Sequence, residues 1–261
     1  MDGCPYHLSS LAETPGLAGL EYRPEVDSTN NWALELAADA ERAWPLLVLT
    51  ARQTAGRGRG ANRWWNAEGG IAFSLVIDGT GIGLPLDRWP RLALVTGLAA
   101  CESLQGLFHE GICSLKWPND VYLNGRKVCG ILVEAPAQAR GRIVIGVGIN
   151  VNNAFATAPE ELQGKATSLS DVAGGEFDVT DVLGNVVRRI LERIDLYRNP
   201  HHTFVEEFRR YCLLTDRSVR IESGHEIITG QCQGIDEEGR LLVRNASGVR
   251  SIVSGVVLSF E

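Results

Sequence analysis

The order of predicted elements indicates an α/β or α+β domain followed by a small all-β domain. Up to about residue 213, apolar runs of strand length alternate with segments whose apolar residues recur at helical spacing. From about residue 216, short strand-like runs follow one another, separated by turns that contain glycine. We therefore divide the chain into an irregular N-terminal lead-in (1–21), a main domain (22–214) and a C-terminal β domain (215–261).

The lead-in mixes Gly, Pro, Ser and Leu without a regular apolar period, which indicates a loosely attached segment. In the main domain, short apolar runs predict strands over 46–50, 71–77, 121–123, 127–133 and 142–148. Asn124-Gly125 predicts a tight hairpin turn between two of them. Helical spacing predicts helices after residue 30, over 89–104, from residue 180 and over 202–212. In the β domain, strands are predicted over 218–221, 226–233, 240–243, 249–253 and 256–258.

Composition excludes several classes of protein. The 261 residues are 44% hydrophobic and 22% charged, as in ordinary globular proteins. The net charge of −7 argues against a general nucleic-acid binder, so we predict no DNA partner. No run approaches 18 apolar residues and no leader pattern is visible, so we expect no membrane partner and a cytoplasmic location. The six cysteines are scattered without a C-x-x-C pair, which favours reduced thiols over a zinc site.

One stretch is typical of an anion-binding loop: Gln53-Thr54-Ala55-Gly56-Arg57-Gly58-Arg59-Gly60. Glycines let the backbone approach a ligand closely, and successive N–H groups can then form an anion-binding concavity. Arginines add fixed charge in a planar fork. Segments rich in Arg and Gly also occur as flexible nucleic-acid-binding tails. Because this stretch lies between two apolar runs, we favour a structured loop.

Four further segments carry polar or aromatic residues at positions where they could contact a ligand. Asp27-Ser28-Thr29-Asn30 precedes a helix, where such residues serve as N-caps and where helix N-termini also bind anions. Trp64 and Trp65 lie in a polar loop, so one of them is free to stack on a flat ligand. Lys116-Trp117-Pro118-Asn119-Asp120 contains a turn signal, and Lys127 is followed by Gly130-Ile131-Leu132-Val133-Glu134.

In this order, and closed by Gly146-Val147-Gly148-Ile149-Asn150, these segments resemble the biotin–protein ligase family over residues ~22 to ~260. The resemblance implies a mixed, mostly antiparallel sheet packed by helices, the class II synthetase-like fold shared with lipoate ligases. It implies a biotin site over the sheet and an SH3-like barrel at the C-terminus. The implied reaction converts biotin and ATP, with Mg²⁺, to biotinoyl-5′-AMP. The biotinoyl group then passes to one lysine of a biotin carboxyl carrier protein of a biotin-dependent carboxylase.

The resemblance also assigns residues. Lys127 matches the catalytic lysine, Arg59 the arginine that retains the intermediate, and Asp120 a residue that binds Mg²⁺ or orients the attacking lysine. Biotin contacts are assigned to Ser28, Thr29, Asn30, Gln53, Gly56, Arg57, Arg59, Lys127 and Gly130. ATP or adenylate contacts are assigned to Arg57, Arg59, Trp64, Lys116, Asn119 and Asn150.

Alternatives remain at this point. A lipoate–protein ligase shares the implied fold and acyl-adenylate chemistry, and a non-catalytic biotin or nucleotide sensor would share the binding residues. The loop departs from the family pattern at Gly60-Ala61-Asn62. About 20 irregular residues precede the ligase pattern, so we expect the form without the N-terminal DNA-binding repressor domain. The family occurs as monomer and as dimer through the sheet edge, and the sequence leaves that choice open.

Overall fold

A mixed sheet of seven strands forms the centre of the main domain. The computed structural model describes residues 4–39, 41–108, 112–139, 141–199 and 201–261. The seven strands are β1 Gly19–Val26, β2 Leu46–Gln53, β3 Ile71–Asp78, β4 Cys113–Lys116, β5 Asp120–Leu123, β6 Arg126–Glu134 and β7 Arg142–Ile149. Their spatial order is β1-β2-β3-β7-β6-β5-β4. β1 pairs with β2 in parallel, and every other pair of neighbours is antiparallel.

Six α-helices accompany this sheet among the described residues. They are α1 Leu8–Ala12, α2 Thr29–Ala37, α3 Leu92–Gln105, α4 Leu169–Ala173, α5 Val179–Arg198 and α6 Val205–Tyr211. Short 3-10 helices cover Leu86–Arg91, Ala137–Ala139 and Phe155–Thr157. The long helix α5 begins at Asp178, whose carboxylate accepts the backbone N–H groups of Thr180 and Asp181 at 2.7 and 3.1 Å. None of the described helices is long and apolar enough to cross a lipid bilayer.

Strand alternation divides the side chains of the sheet between two faces. On β7, Ile143, Ile145, Val147 and Ile149 belong to the large core that also contains apolar residues of α3 and α5. Val144 points to the opposite face and packs with Trp32 of α2 in a smaller cluster. Burial of each such side chain contributes roughly 1.5–3 kcal/mol to folding. Because both faces are covered, β7 is buried along its whole length.

The C-terminal part forms a separate antiparallel sheet in the order β11-β10-β9-β8-β12. Its strands are β8 Ser218–Ser223, β9 Glu226–Ile235, β10 Leu241–Asn245, β11 Gly248–Ile252 and β12 Val256–Phe260. The large core continues from the main domain into this sheet, where it includes Ile221 and Val243. At the junction, the indole N–H of Trp117 donates to the carbonyl of Gly239 at 3.1 Å. The predicted fold class, with a small C-terminal β domain, is confirmed.

The lead-in was predicted to be irregular, and its described part, residues 4–21, is not. It contains α1, whose Leu11 is buried in the large core, and the first residues of β1. β1 was not predicted, because its sequence does not alternate between apolar and polar residues and contains Pro24. Its pairing partner β2 also lies beyond α2 in the sequence. Residues 1–3 of the predicted lead-in lie outside the described residues. The boundary near residue 214 stays a prediction.

Candidate active site

A cavity of ≈ 330 Å³ lies on the face of the sheet that carries α2, at the N-terminal end of that helix. β6 and β7 form its floor, and the loop that follows β2 forms its cover. In the part of the chain that the structure describes, four cationic side chains and one carboxylate line it, so an anionic ligand is favoured. These residues are Arg57, Arg59, Arg63, Lys127 and Asp120.

Glycines keep the floor of the cavity flat. A Cβ atom at Gly148 would stand 2.6 Å from Cζ2 of Trp64, and one at Gly130 would stand 3.1 Å from Cζ3 of the same indole. A Cβ atom at Gly146 would stand 2.8 Å from Cγ of Asn30. Trp64 and Asn30 therefore lie directly against the backbone of the sheet, which only glycine permits at this distance.

The N-terminal end of α2 presents buried polar groups to the cavity. The backbone N–H of Thr29 donates to Oε1 of Gln53 at 2.8 Å, and the Thr29 hydroxyl lies 3.2 Å from the same oxygen. Gln53 therefore satisfies one of the backbone N–H groups that lack an intrahelical partner at this end of the helix. Ser28 occupies the N-cap position but makes no side-chain capping hydrogen bond. Because Ser28 lines the cavity and its hydroxyl is not used as a cap, that hydroxyl is available to a ligand in the cavity.

Lys127 and Asp120 form an ion pair on the floor, with 2.6 Å between Nζ and Oδ1. Side chains along a strand point alternately to the two faces of the sheet. Because Gly130 is on the cavity face, regular alternation would point Lys127, three residues earlier, toward the core. A register shift between β5 and β6 changes this: Val128 and Cys129 are both buried in the core, and Lys127 emerges on the cavity face. Its ammonium lies 5.9 Å from the centre of the Trp64 ring. A cation held here can attract a carboxylate or a phosphate.

Asn119 holds the turn before β5 against the end of β6. Its backbone carbonyl accepts the N–H of Ile131 at 3.0 Å, and its side-chain Nδ2 donates to the Ile131 carbonyl at 2.7 Å. Its Oδ1 lies 3.4 Å from Nη1 of Arg59, which is also 3.4 Å from the carbonyl of Gly255 in the C-terminal domain. The turn, the covering loop and the C-terminal domain thus meet at the edge of the cavity.

The cover of the cavity, residues 56–64, is called the lid below. It forms a small hairpin in which the N–H of Gly58 donates to the carbonyl of Asn62 at 2.9 Å. The unusual segment Gly60-Ala61-Asn62 makes the tip, where Gly60 has a φ of +61° that favours glycine. The departure from the family pattern therefore lies in the turn of the lid.

Most of the predicted site residues line this one cavity. They are Ser28, Thr29, Asn30, Gln53, Arg57, Arg59, Trp64, Asn119, Asp120, Lys127 and Gly130. Gly56 begins the lid without lining the cavity, and its carbonyl accepts the N–H of Trp64, at the other end of the lid, at 3.0 Å. Asn150 is buried below the floor, where its Oδ1 accepts Nδ2 of Asn153 at 3.2 Å. The contacts assigned to these two residues stay predictions.

Lys116, predicted to contact phosphate, does not line the cavity either. Its ammonium lies between two rings, 5.6 Å from the centre of Tyr122 and 5.3 Å from the centre of Phe260 of the C-terminal domain. Burial lowers the pKa of Lys116; Lys127 adds to this effect and Asp120 opposes it. Lys116 is thus a partly desolvated cation beside the site, and its role toward ATP stays a prediction.

Sequence reasoning gave no role to two polar residues that lie beside the cavity. The hydroxyl of Ser74 lies 2.9 Å from Oγ1 of Thr29 and 2.6 Å from Oδ1 of Asn30. A single serine inside the otherwise apolar strand β3 was the available signal. Glu134 accepts hydrogen bonds from Arg57 and Asn30, and its partners are too distant in sequence to be recognised. Among the described residues, no three His, Cys, Asp or Glu side chains are grouped so that they could hold a metal ion.

Comparison with known proteins identifies the family. Residues 22–150 match the biotin/lipoate A/B protein ligase family, and residues 215–258 match the biotin protein ligase C terminal domain. The biotin–[acetyl-CoA-carboxylase] ligase of Mycobacterium tuberculosis is 33% identical over 229 residues, which cover 87% of this chain and 83% of that protein. The chain belongs to the biotin protein ligase family.

Further relatives agree with this family. The bifunctional ligase/repressor BirA of Bacillus subtilis is 34% identical over 240 residues, covering 90% of this ligase and 72% of BirA. A biotin protein ligase from Aquifex aeolicus, solved in complex with biotin and ATP, superimposes with a TM-score of 0.79 at 32% identity. That match covers 93% of this ligase and 98% of the Aquifex chain. The recognised family, the fold and the class of enzyme predicted from the sequence are confirmed.

Proposed function

We propose that this ligase joins biotin to ATP as biotinoyl-5′-AMP and transfers the biotinoyl group to one lysine of a biotin carboxyl carrier protein. The observation that carries the proposal is the placement of Lys127 and Asp120 on a glycine floor, opposite the polar end of α2 and under a lid with three arginines. The solved Aquifex relative holds biotin and ATP, which supports the same ligands here.

The first step brings two anions together. A carboxylate oxygen of biotin attacks the α-phosphorus of ATP, a P–O bond forms, and pyrophosphate leaves with the electrons of the broken P–O bond. Lys127 offsets the repulsion between the carboxylate and the α-phosphate, because its ammonium lies on the cavity floor. Ser28, Thr29 and Gln53 supply hydrogen-bonding groups for the ureido ring, and Trp64 against its floor glycines supplies an apolar wall.

In the second step, a neutral lysine amine of the carrier attacks the acyl carbon, an amide forms, and AMP leaves. The amine must lose a proton, and the Asp120 carboxylate on the cavity floor is a suitable acceptor or orienting group. Between the steps the anhydride is exposed to hydrolysis, so a lid that excludes water protects it. We assign that protection to Arg59, and its position in the lining of the cavity supports the assignment.

The site fits Mg²⁺ only if the ion is bound mainly by the phosphates of the nucleotide. Among the described residues, Asp120 is the single carboxylate that lines the cavity, and its Oδ1 is paired with Lys127. Mg²⁺ needs few protein ligands when phosphates and water complete its octahedron. Asp120 would therefore supply one ligand at most, and the bound ion would neutralise phosphate charge.

The acceptor is inferred from relatives that are named biotin–[acetyl-CoA-carboxylase] ligases, which supports the carrier of a biotin-dependent carboxylase as partner. A homodimer, the absence of DNA binding and a cytoplasmic location stay predictions. Sedimentation of the purified chain would establish its oligomeric state.

The function is tested by incubating the protein with ATP, Mg²⁺, biotin and a biotin carrier domain, and by measuring the carrier by mass spectrometry. We expect the mass of one biotinoyl group on one carrier lysine. Transfer of lipoate but not biotin would contradict the substrate assignment. Tight biotin binding without any transfer would indicate a sensor.

Lys127→Ala tests the central cation. We expect adenylate formation to fall by about 10²–10³-fold, because a preorganised electrostatic group contributes on that scale. Pyrophosphate release measures this step. Lys165→Ala is the matched control, since Lys165 is exposed and its backbone carbonyl bonds to the Lys127 N–H without side-chain involvement. Wild-type rates in Lys127→Ala would show that the charge is supplied elsewhere.

A further inference from the structure

The two arginines at the start of the lid have different surroundings. Arg57 forms a fork with Glu134: Nη2 lies 2.7 Å from Oε1 and Nη1 lies 3.0 Å from Oε2. Nη1 also lies 2.8 Å from Oδ1 of Asn31. By contrast, the contacts of Arg59 are single and long, at 3.4 Å to Asn119 and to Gly255. Arg57 is therefore already neutralised by a paired carboxylate, whereas Arg59 is paired with no carboxylate in the part of the chain that the structure describes.

Glu134 connects this ion pair to the polar end of α2. Its Oε2 also accepts Nδ2 of Asn30 at 2.8 Å. Oδ1 of Asn30 in turn lies 2.6 Å from the hydroxyl of Ser74, which lies 2.9 Å from Oγ1 of Thr29. A continuous series of hydrogen bonds thus runs from the cavity-lining end of α2, through Asn30 and Glu134, to the lid.

The sheet supports this series from below. Asn30 lies against Gly146, where no side chain would fit, so its amide has little freedom to turn away from Glu134. Glu134 is at the end of β6 and its side chain is 23% exposed, whereas the Arg57 side chain is 39% exposed. Glu134 is therefore the more buried partner and belongs to the sheet, whereas Arg57 is the more exposed partner and belongs to the lid.

We propose that Glu134 is a positioning residue that keeps the lid closed over the acyl-adenylate by holding Arg57. Asn30 couples this latch to the ligand-binding end of α2. Arg57 then holds the lid to the sheet through Glu134, and Arg59 is the lid arginine that faces the ligand. The proposal rests on the proposed function, and it revises the assignment of Arg57 as a biotin contact and as an adenylate contact.

If the ion pair between Glu134 and Arg57, called the latch here, keeps the lid closed, its removal should release more biotinoyl-5′-AMP. The rate of adenylate formation should fall by less. In Glu134→Ala the lid would open more often, and biotinoyl-5′-AMP would escape and label bystander lysines. We expect the ratio of bystander to carrier labelling to rise about fivefold, the scale of a partly exposed charged pair. Glu134→Gln keeps the shape and the contact with Asn30 but loses the charge, so it should show a smaller rise.

The experiment measures this ratio by mass spectrometry, with biotin, ATP, carrier domain and serum albumin as the bystander. Arg57→Gln should match Glu134→Ala, and the double variant should be no worse than either, because both remove one interaction. Glu226→Ala is the matched control, since Glu226 forms a similar fork with Arg250 in the C-terminal domain. It should keep the wild-type ratio.

The outcomes separate the latch from the function. A wild-type chain that transfers no biotin would refute the proposed function. Normal transfer, with an unchanged bystander ratio in Glu134→Ala and Arg57→Gln, would refute the latch alone. Additive effects in the double variant would also refute it. If Glu134→Ala fails to fold, Arg57→Gln tests the same pair from the exposed side.

Discussion

A methyl group at Gly148 would displace Trp64 from the floor of the site. In Gly148→Ala the new Cβ would stand 2.6 Å from Cζ2 of Trp64 and closer still to Cε2. Carbon atoms pack at about 3.5–4.0 Å, so the indole must retreat by roughly 1 Å. Gly148 pairs with Ala72 and Gly130 inside the sheet, which prevents the backbone from yielding instead.

The magnitude follows from that displacement. A misplacement of about 1 Å near a reacting centre can lower a rate by ~10²-fold. We therefore expect kcat/KM for adenylate formation, with biotin as the varied substrate, to fall by about 100-fold. The free energy of unfolding should fall by about 1 kcal/mol, the low end of the 1–3 kcal/mol that overpacking costs, because the half-buried indole can move outward.

Release of pyrophosphate in the presence of biotin and ATP measures the effect. Gly175→Ala is the matched control, because a Cβ there meets no atom within 4 Å and φ is not positive. Gly130→Ala should be milder, with its nearest contact at 3.1 Å. Adding Trp64→Ala to Gly148→Ala should cause little further loss. A Gly148→Ala enzyme with the wild-type kcat/KM would refute the assignment of Trp64 to the wall of the site.

Two further predictions concern charge. Burial lowers the pKa of Lys116, so its charge is lost as pH rises through a value below that of an ordinary lysine. Lys116→Arg keeps the charge at alkaline pH. The rate of adenylate formation in this variant, divided by the wild-type rate, should therefore rise as the pH is raised. Parallel pH–rate profiles of the two proteins would contradict a role for this charge. Arg193 is 8% exposed and joins Glu102 to Glu207, so Arg193→Met should lower the unfolding free energy by about 3 kcal/mol in urea titrations. Arg188→Met, at an exposed pair, should cost less than about 1 kcal/mol, and equal losses would contradict this reasoning.

The local pattern of apolar and turn residues predicted two kinds of element: strands that are covered on both faces, and strands that pair with a neighbour close in sequence. β7 is apolar throughout because helices lie on both sides of it, and the β5–β6 hairpin is marked by Asn124-Gly125. β1 could not be found this way, since its parallel pairing with β2 depends on a helix between them.

The site was predictable in its residue types but not in its geometry. Alternation alone would have turned Lys127 into the core, and the register shift at Val128 that prevents this leaves no mark in composition. Lys116 is covered by Phe260, which comes from the far end of the chain. The neutralisation of Arg57 by Glu134 is likewise a long-range contact. Each of these features depends on tertiary packing, which short motifs do not encode.

Trp117 makes the two parts of the chain interdependent. Its indole is 2% exposed and donates to the carbonyl of Gly239, which belongs to the C-terminal part. A chain cut after residue 214 would leave this donor without its acceptor, at a cost of roughly 1–3 kcal/mol, and would uncover the apolar surface around it. Asn119 and Asp120 follow within three residues, so the damage would spread to the site. Exchange of C-terminal domains between relatives therefore requires that this joint be matched on both sides, and we expect the two parts to unfold together rather than as independent modules.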